Sequence, residues 1–390
     1  MRILIITQNF PPLEGGISTH CYEMAKHWAM SEDVWVLAPH MPGEGAIRIS
    51  PSLRVVRMPG GHNKLFRFFV TMLYTFSVAR RIKPNLIYGT HWRNCGVALR
   101  LLAPVMGIPF FLAIHGSEIL YLLNPKRAVT LHLFRWVAQG CRGFVALGQY
   151  QKQLLQKLGI EAWRIYTCPE GVDLTRFTGL EADGGAQIRA RYHLDSKRVI
   201  LTVGRLVERK GHDMVIRALP EVVKEVPEAV YLIVGRGPME DRLRALSREM
   251  GVEDRVVFCG FVPESEILSY YQACDVFAMP NREVGGDTEG FGIVFAEAGA
   301  CGKPVIGGRS GGVVEVIEDG VTGFLVDPLD PREIGQALRT LLQNAVLAAE
   351  MGKAGRKRVE ALYRYDRIAA NILTFLKQSV GNREAASCDR

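Results

Sequence analysis

The sequence has 390 residues, of which 48% are hydrophobic and 23% charged, so it is a globular chain of two domains rather than a disordered or fibrous one. Its formal net charge of +8 comes from residues 1–185, which contain 20 Lys and Arg against 11 Asp and Glu. This basic half suggests an anionic partner, such as a phosphorylated ligand or a lipid surface, and no RNA-binding or helix-turn-helix signature supports nucleic acid in that role.

Short β-branched runs alternate with helical stretches twice along the chain, which predicts two parallel sheets with helices on both faces. Seven strands are predicted in the first half, at residues 3–7, 34–38, 54–58, 86–88, 110–114, 144–147 and 164–167. Six more are predicted in the second half, at residues 199–203, 230–234, 256–259, 276–279, 304–306 and 323–326.

A polar segment, TGLEADGGAQIRARYHLDSKR, lies between the two series of strands and contains Gly184-Gly185. It predicts a boundary that gives an N-terminal Rossmann-like domain at 1–185 and a C-terminal Rossmann-like domain at 186–360. Residues from about 348 to 377 have helical periodicity. We expect the last part, 361–390, to form a helix that packs back on the N-terminal domain.

The loop after the first strand, NFPPLEGGIST, places Gly15 and Gly16 directly before a predicted helix. Glycine lets the backbone approach a ligand closely, and a helix amino end favours anions. In a doubly wound domain this is a phosphate or sugar-diphosphate position. The loop lacks G-x-G-x-x-G, and a simple strand-to-helix turn explains it equally well when it is taken alone.

The segment His62 to Asn85 combines five aromatic residues with five cations. One interpretation is a basic amphipathic helix lying in an anionic membrane interface. The alternative is a core helix whose cations extend to solvent from its ends. The residues favour neither.

The stretch LTVGRLVERKG places two cations, Arg205 and Lys210, after a predicted strand and before a helix from about Gly211. Arginine offers a planar fork for phosphate oxygens and lysine a point charge, so the pair suits a diphosphate. Turn cations are usually solvated surface groups, but the strand-end position favours a functional role.

Two glutamates flank a glycine-rich turn in DTEGFGIVFAEAGACGKPVI. We expect a helix to begin near Ile293, with Glu289 before it and Glu297 one turn inside it. The first-turn amides at 290–294 suit an anion, whereas carboxylates can clamp vicinal hydroxyls. A ligand with phosphates in the middle and hydroxyl-rich rings at both ends, such as a nucleotide sugar, satisfies both.

These residues resemble a known family. The strings GRLVERKG, VGRGP, GFV, EGFGIVFAEAGACGKPVI and GGVVEVIEDGVTGFLV, with NFPPLEGGIST, HGSE and GVDLTRF before them, are similar to the retaining glycosyltransferases of sequence family 4. The insert PNREVGGDTEGFG further resembles the phosphatidylinositol-mannoside mannosyltransferases that use GDP-mannose. Glu170 stands where the family usually has Asn before Gly-Val-Asp. The resemblance implies a GT-B fold, in which two Rossmann-like domains face a central cleft.

The resemblance also implies roles for individual residues. Arg205 and Lys210 would hold the diphosphate, Glu297 the ribose, and Glu289 the donor hexose. The remaining implied contacts are the backbone of Gly290, Phe291, Gly292 and Ile293 for the donor, Val262 for the base, Gly16 beneath the diphosphate and His115 near the hexose. His115 follows an apolar strand, where a ring nitrogen can reach a sugar hydroxyl, although a histidine is more often a structural hydrogen-bonding group.

The implied reaction transfers a hexose, with retention, from GDP-mannose to a lipid-linked or glycan acceptor in cell-envelope glycan synthesis. A UDP-sugar donor is the main alternative. No Asp-x-Asp motif is present, so we expect neither a metal nor a cofactor. An epimerase of the same layout would consume no acceptor. A dinucleotide-dependent oxidoreductase would need G-x-G-x-x-G, and a non-catalytic binder is disfavoured by the complete set of donor-site charges.

The eight cysteines are scattered without a C-x-x-C pair, which predicts free thiols in a reducing compartment. The N-terminal stretch MRILIITQNF has no apolar run long enough for a signal peptide, and no segment offers about 20 uninterrupted apolar residues for a spanning helix. We therefore expect a cytoplasmic protein, peripheral on the inner face of the membrane if residues 62–85 touch it.

Overall fold

The structure is a computed structural model that describes residues 1–13, 15–41, 51–60, 63–177 and 183–388. The chain forms two compact units, Met1–Gly171 with Tyr365–Arg390, and Val172–Arg364. His62 and the residues 178–182 of the predicted linker lie outside the described residues. Each unit contains one parallel sheet with helices on both faces, so the predicted fold class is confirmed.

The sheet of the first unit contains seven parallel strands: β1 (Arg2–Ile6), β2 (Asp33–Pro39), β3 (Leu53–Met58), β4 (Leu86–Gly89), β5 (Phe110–Ile114), β6 (Gly143–Ala146) and β7 (Ile165–Thr167). Their order is β3-β2-β1-β4-β5-β6-β7. Ile3 pairs with Val34 on one side and with Leu86 on the other. Helices cover both faces, which is why these strands are continuous apolar runs rather than alternating ones.

The α-helices among the described residues before Gly171 are α1 (Gly16–Trp28), α2 (Lys64–Ile82), α3 (Val97–Met106), α4 (Ser117–Leu120), α5 (Ala128–Gly140) and α6 (Gln149–Lys157). The apolar core on one face of the sheet includes residues of α2, α3 and α5, and the core on the other face includes residues of α1.

The second unit contains six parallel strands: β8 (Arg198–Val203), β9 (Ala229–Val234), β10 (Val256–Gly260), β11 (Val276–Met279), β12 (Val305–Gly308) and β13 (Gly323–Val326). Their order is β10-β9-β8-β11-β12-β13, with the switch point between β8 and β11. Its helices are α7 (Leu174–Phe177), α8 (Gly184–Arg191), α9 (His212–Glu225), α10 (Glu240–Glu249), α11 (Ile267–Ala273), α12 (Ile293–Ala300), α13 (Val313–Val316), α14 (Pro331–Gln343) and α15 (Ala345–Leu362).

The C-terminal segment predicted as one helical stretch is two helices. α15 ends at Leu362 in the second unit, and α16 (Tyr365–Cys388) belongs to the first. The indole Nε1 of Trp28 in α1 donates a hydrogen bond of 2.8 Å to the carbonyl of Ala369 in α16. The sequence periodicity missed the break because Tyr363 and Tyr365 are both buried, each in the core of its own unit.

The two compact units divide at Gly171/Val172, ahead of the predicted boundary at 185/186. The glycine pair Gly184-Gly185 is part of α8, which packs on α11. A Cβ at Gly184 would lie 2.4 Å from the Ser269 hydroxyl oxygen, and one at Gly185 2.9 Å from Cβ of Gln272. The small residues allow close helix packing here and do not mark a linker.

Candidate active site

The turn between β8 and α9 carries three cations. Arg205 is exposed, whereas Arg209 and Lys210 lie in a short 3-10 turn, and Lys210 is buried. Gly211 ends this turn with φ of +74°, and a Cβ there would lie 2.1 Å from the carbonyl oxygen of Pro280. Only glycine allows this approach, which holds the turn against the end of β11.

The carboxylate of Glu289 is the acidic partner of this turn. The Lys210 ammonium donates to Glu289 Oε2, and the Arg209 guanidinium donates to the same oxygen at 2.7 Å. Arg209 Nε also lies 3.0 Å from Asp287 Oδ2. Burial alone would raise the pKa of Glu289, but Lys210 and Arg209 together hold that pKa below its ordinary value. Glu289 is therefore an ionised carboxylate at neutral pH.

The second glutamate has a different environment. α12 begins at Ile293 as predicted, which places Glu297 one turn inside the helix. The Tyr271 hydroxyl donates to Glu297 Oε2 at 2.7 Å. Burial raises the pKa of Glu297 despite this hydrogen bond, because no cation pairs with its carboxylate among the described residues. The two acids of the motif therefore differ in electrostatic environment.

The turn before α12 is built by close backbone packing. Gly292 precedes the helix with φ of +83°, and a Cβ there would lie 2.9 Å from Cδ2 of Phe295. Phe291 is buried against Tyr363, with ring centroids 5.5 Å apart. A Cβ at Gly312 would lie 1.7 Å from the carbonyl oxygen of Gly290. This packing places Glu289 and the amino end of α12 at the carboxyl side of the sheet.

The loop from β11 to Glu289 is fixed by a second ion pair, in which the arginine is buried. Both terminal nitrogens of Arg282 donate to the carboxylate of Asp213 in α9, at 3.0 and 2.9 Å. The amide of Arg282 donates to the carbonyl of Arg209 at 2.8 Å. The insert that carries Glu289 is therefore attached to the cationic turn by side chains and backbone.

Val262, the predicted base contact, follows β10 and is almost fully buried, while Phe261 before it is 56% exposed. Arg205 and Arg236 are exposed at the carboxyl ends of the neighbouring strands β8 and β9. Within the described part of the chain, neither guanidinium forms an ion pair or a hydrogen bond. Both are available to an anionic or hydrogen-bonding ligand.

Two predicted site residues belong to the first unit. Gly16 is the first residue of α1 and is exposed, and a Cβ at that position would meet open space. His115 follows β5, and its amide donates to Glu118 Oε1 at 2.6 Å. Its Nε2 is buried and has no hydrogen-bond partner among the described residues. Burial, with His20 and His91 nearby, holds the pKa of His115 well below its ordinary value.

His20 contacts His115 edge-on, with ring centroids 5.3 Å apart. It is fully buried, its Nδ1 lies 3.0 Å from Glu170 Oε1, and its Nε2 lies 3.2 Å from the Tyr88 hydroxyl. Tyr365 donates to the same Glu170 oxygen at 3.2 Å. His20 therefore has a structural role, and Glu170 is a buried acceptor in the first unit.

The structure thus brings together Lys210 and Glu289, and it separates Glu297 into its own hydrogen-bonded site. Arg209 was not among the predicted site residues, although its place beside Lys210 in ERKG could have indicated it. Tyr271 was not predicted either, and no sequence pattern indicates its contact with Glu297. Among the described residues no group of three or more His, Cys, Asp or Glu could hold a metal ion.

Comparison with known proteins assigns these features to a family. Residues 14–176 match the family model described as Glycosyltransferase Family 4, and residues 186–358 match the one described as Glycosyl transferases group 1. A GDP-mannose-dependent alpha-(1-6)-phosphatidylinositol monomannoside mannosyltransferase from Mycolicibacterium smegmatis is 35% identical, covering 91% of this chain and 92% of that protein. The chain therefore belongs to the glycosyltransferase family of this mannosyltransferase, whose two domain models it matches in order.

A second relative of the glycosyltransferase is the GDP-mannose-dependent monoacylated alpha-(1-6)-phosphatidylinositol monomannoside mannosyltransferase of Corynebacterium glutamicum. It is 31% identical, over 97% of this chain and 98% of that protein. The crystal structure of Anabaena HepE in complex with UDP superposes with a TM-score of 0.81 at 21% identity, covering 97% of this chain and 100% of that one. The glycosyltransferase therefore has the GT-B fold that the resemblance implied.

Proposed function

We propose that this glycosyltransferase transfers mannose from GDP-mannose, with retention of the anomeric configuration, to a hydroxyl of a lipid-linked or glycan acceptor in cell-envelope glycan synthesis. The observation that carries the proposal is the ion pair between Glu289 and Lys210 beside the amino end of α12. The names of the relatives with 35% and 31% identity, which specify GDP-mannose, support the donor.

The charges of this site fit a sugar diphosphate. Without a ligand, Glu289 pairs with Lys210 and Arg209, Asp287 also pairs with Arg209, and Arg205 is the cation of this turn without a partner among the described residues. Diphosphate oxygens would bind Arg205 and share Lys210. The Glu289 carboxylate would then accept hydrogen bonds from hydroxyls of the hexose, with Gly290, Phe291 and Gly292 lining the turn.

Glu297 and its Tyr271 partner form a hydrogen-bonding site for the ribose hydroxyls. His115 presents a neutral, buried ring nitrogen that would hydrogen-bond a sugar hydroxyl rather than carry charge. The exposed glycine Gly16 leaves room for the diphosphate over the amino end of α1. These contacts would orient the donor without a metal or a cofactor.

Bond cleavage between the anomeric carbon and the phosphate oxygen leaves both electrons on the diphosphate. Arg205, Lys210 and the amides at the start of α12 would stabilise that charge, and such preorganised groups commonly contribute most to catalysis. The departing phosphate oxygen takes the proton of the acceptor hydroxyl on the same face of the sugar, and the acceptor oxygen forms the new glycosidic bond. No protein nucleophile is needed.

A panel of nucleotide sugars tests this proposal. The purified enzyme is incubated with GDP-mannose, GDP-glucose, UDP-glucose and UDP-galactose in the presence of a phosphoinositide glycolipid, and released GDP or UDP is measured. GDP release with mannose transferred to the lipid is the expected result. Glu289→Gln should abolish it, whereas Glu283→Gln, an exposed acid in the same loop, should not. UDP release alone would instead establish the alternative donor, and no release would overturn the proposal.

Contact with an anionic membrane is the second part of the proposal. α2 turns a stripe of Thr71, Thr75, Ala79 and Ile82 towards the core and leaves Leu65, Phe66, Phe69 and Leu73 between 48% and 69% exposed. Arg80, Arg81 and Lys83 at its carboxyl end are also exposed. The helix therefore has both a core face and an apolar outer face beside cations, which suits insertion at an interface. No described helix is long and apolar enough to span a bilayer.

Vesicle sedimentation tests the membrane contact. We expect the enzyme to bind vesicles of equal parts phosphatidylcholine and phosphatidylglycerol and to be released by salt. The double variant Phe66→Ser, Phe69→Ser should lose about tenfold or more in binding, because each ring contributes on the order of 1.5 kcal/mol when buried. Met30→Ser, which changes a 74% exposed apolar residue elsewhere in the unit, should bind as the wild type does. Equal vesicle binding by the wild type and both variants would show that α2 does not contact the membrane.

A further inference from the structure

The nucleoside of a donor held at Lys210 and Glu289 must extend along the carboxyl edge of the second sheet in one of two directions. The strand order is β10-β9-β8-β11-β12-β13, and Lys210 and Glu289 follow β8 and β11 at its centre. One direction leads over the end of β12, and the other leads over the ends of β9 and β10. The packing of each strand end decides between them.

The direction over β12 is filled by backbone. A Cβ at Gly308, the last residue of β12, would lie 1.9 Å from the carbonyl oxygen of Asn281. The following turn is equally tight, because Gly311 approaches the carbonyl oxygen of Glu289 and Gly312 that of Gly290. The loop that carries Glu289 therefore covers this strand end, and a base has no room there.

In the direction over β9 and β10, backbone fills the end of β9, where a Cβ at Gly235 would lie 2.0 Å from the carbonyl oxygen of Gly204, but the end of β10 meets only an arginine side chain. Arg236 follows β9 and is exposed. Its backbone is fixed, because its carbonyl accepts a hydrogen bond of 3.1 Å from the amide of Leu206. Its side chain lies over the last residue of β10, since a Cβ at Gly260 would be 3.8 Å from Arg236 Nε and 4.0 Å from Nη2. The exposed ring of Phe261 comes next in the chain.

We propose that Arg236 selects the base of the donor by donating two hydrogen bonds to O6 and N7 of guanine. The inference rests on the proposed nucleotide-sugar function of the site. The planar guanidinium fork matches this pair of acceptors, and uracil offers no such pair. Arg236 has no partner among the described residues, so it loses no internal ion pair when it binds the base. Arg205, one strand closer to Lys210, remains with the diphosphate.

Nucleotide binding by the full chain, measured calorimetrically, tests this assignment with GDP, inosine diphosphate, 7-deaza-GDP and UDP. Inosine diphosphate keeps O6 and N7, whereas 7-deaza-GDP lacks the N7 acceptor. For the wild type we expect inosine diphosphate to bind about as well as GDP, and 7-deaza-GDP several-fold more weakly. Arg236→Met should weaken GDP binding about tenfold or more and abolish its advantage over 7-deaza-GDP, while UDP binding changes little.

Arg205→Met is the matched control, because it makes the same change at the neighbouring strand end. It should weaken GDP and UDP by the same factor, since both carry a diphosphate. The inference is overturned if Arg236→Met weakens GDP and UDP equally, which would make Arg236 a phosphate contact, or if it changes neither. In both outcomes GDP still binds the wild type and the proposed function stands. If no nucleotide binds the folded wild type, the function and the inference both fail.

Discussion

The two units have the same doubly wound architecture but different chemistry at the carboxyl ends of their central strands. In the second unit, the loops after β8 and β11 carry ion pairs, Lys210 and Arg209 with Glu289, and Arg282 with Asp213. In the first unit, the corresponding region holds buried hydrogen-bonding groups, His115 after β5 and His20 with Glu170. The second unit presents cations at these strand ends, and the first presents buried hydrogen-bonding groups.

Because both units share this architecture, the fold alone does not decide which unit binds the anion. Both sheets present a glycine-rich turn before a helix, at Gly16 and at Gly292. Only the second unit combines such a turn with buried and paired cations in the described residues. The first unit instead exposes an apolar and basic helix, α2. We therefore propose that the second unit holds the donor's charge, and that the first unit adds a hydroxyl contact through His115 and the membrane contact through α2.

The largest expected effect is on stability in the second unit. Arg282→Met leaves the partly buried Asp213 carboxylate without its bidentate partner, and because breaking a fully buried pair costs about 3–5 kcal/mol, we expect a loss of about 3 kcal/mol here. Urea denaturation should show this loss in the free energy of unfolding. Arg244→Met, which removes a surface pair with Glu240, should cost less than about 1 kcal/mol. Equal costs would mean that the ionic loops are not rigidly held.

Next in size is the loss of activity when the buried cation is removed. Lys210→Met should lower kcat/KM for GDP-mannose by about 10²–10³-fold, because the charge on the leaving diphosphate loses a preorganised partner. Steady-state kinetics measure it, with Lys224→Met, an exposed lysine paired with Glu221, as the control. A loss of kcat/KM of tenfold or less would mean that the diphosphate does not bind at Lys210.

The first unit should show a smaller effect and no change of charge. His115→Ala removes one hydrogen bond of a neutral ring and should lower kcat/KM about tenfold. Its pKa lies well below the ordinary value, so the ring stays neutral through the assay range. The pH dependence of kcat/KM between pH 5 and 8 should therefore be the same in the wild type and in His115→Gln. If the variant lost an acid limb of the profile, a charged role for His115 would follow.

The smallest effect is a difference in pH dependence between the two motif glutamates. The pKa of Glu289 is lowered in the fold, so its stabilising contribution is present above about pH 4.5 and is lost as the pH falls through the lowered pKa. The pKa of Glu297 is raised, so its ionised form opposes folding at neutral pH and this cost disappears on acidification.

Thermal unfolding of the two glutamine variants from pH 7 down to about pH 3 tests this contrast. Glu289→Gln should be less stable than the wild type at pH 7, and the deficit should begin to shrink only below about pH 4.5. The stability of Glu297→Gln relative to that of the wild type should be highest at pH 7 and should fall as the pH is lowered. Parallel curves for the two variants would show that the two acids have equivalent environments.

Much of this architecture could be predicted from the sequence, because buried parallel strands are continuous apolar runs. All thirteen predicted strands are present, and α12 begins at Ile293, where the turn residues Gly290 and Gly292 indicated. The position of Glu289 before that helix followed from the same turn. Local patterns were sufficient wherever a single element fixed a residue's place.

Features that depend on contacts distant in sequence could not be predicted. Tyr271 bonds Glu297 from a different helix, and Arg282 reaches Asp213 across 69 positions of sequence. The pair Gly184-Gly185 suggested a linker because glycine marks both flexible chain and close helix packing, and only the neighbouring Ser269 and Gln272 distinguish the two. The break at Tyr363 was missed because aromatic residues on both sides are buried in different units.

Hydrogen–deuterium exchange with and without GDP tests the central claim most directly, because it locates the nucleotide along the chain. We predict slower exchange in peptides that cover residues 204–211, with Arg205 and Lys210, and residues 288–297, with Glu289 and the start of α12. Unchanged exchange in both segments, while GDP protects amides elsewhere in the chain, would contradict the account.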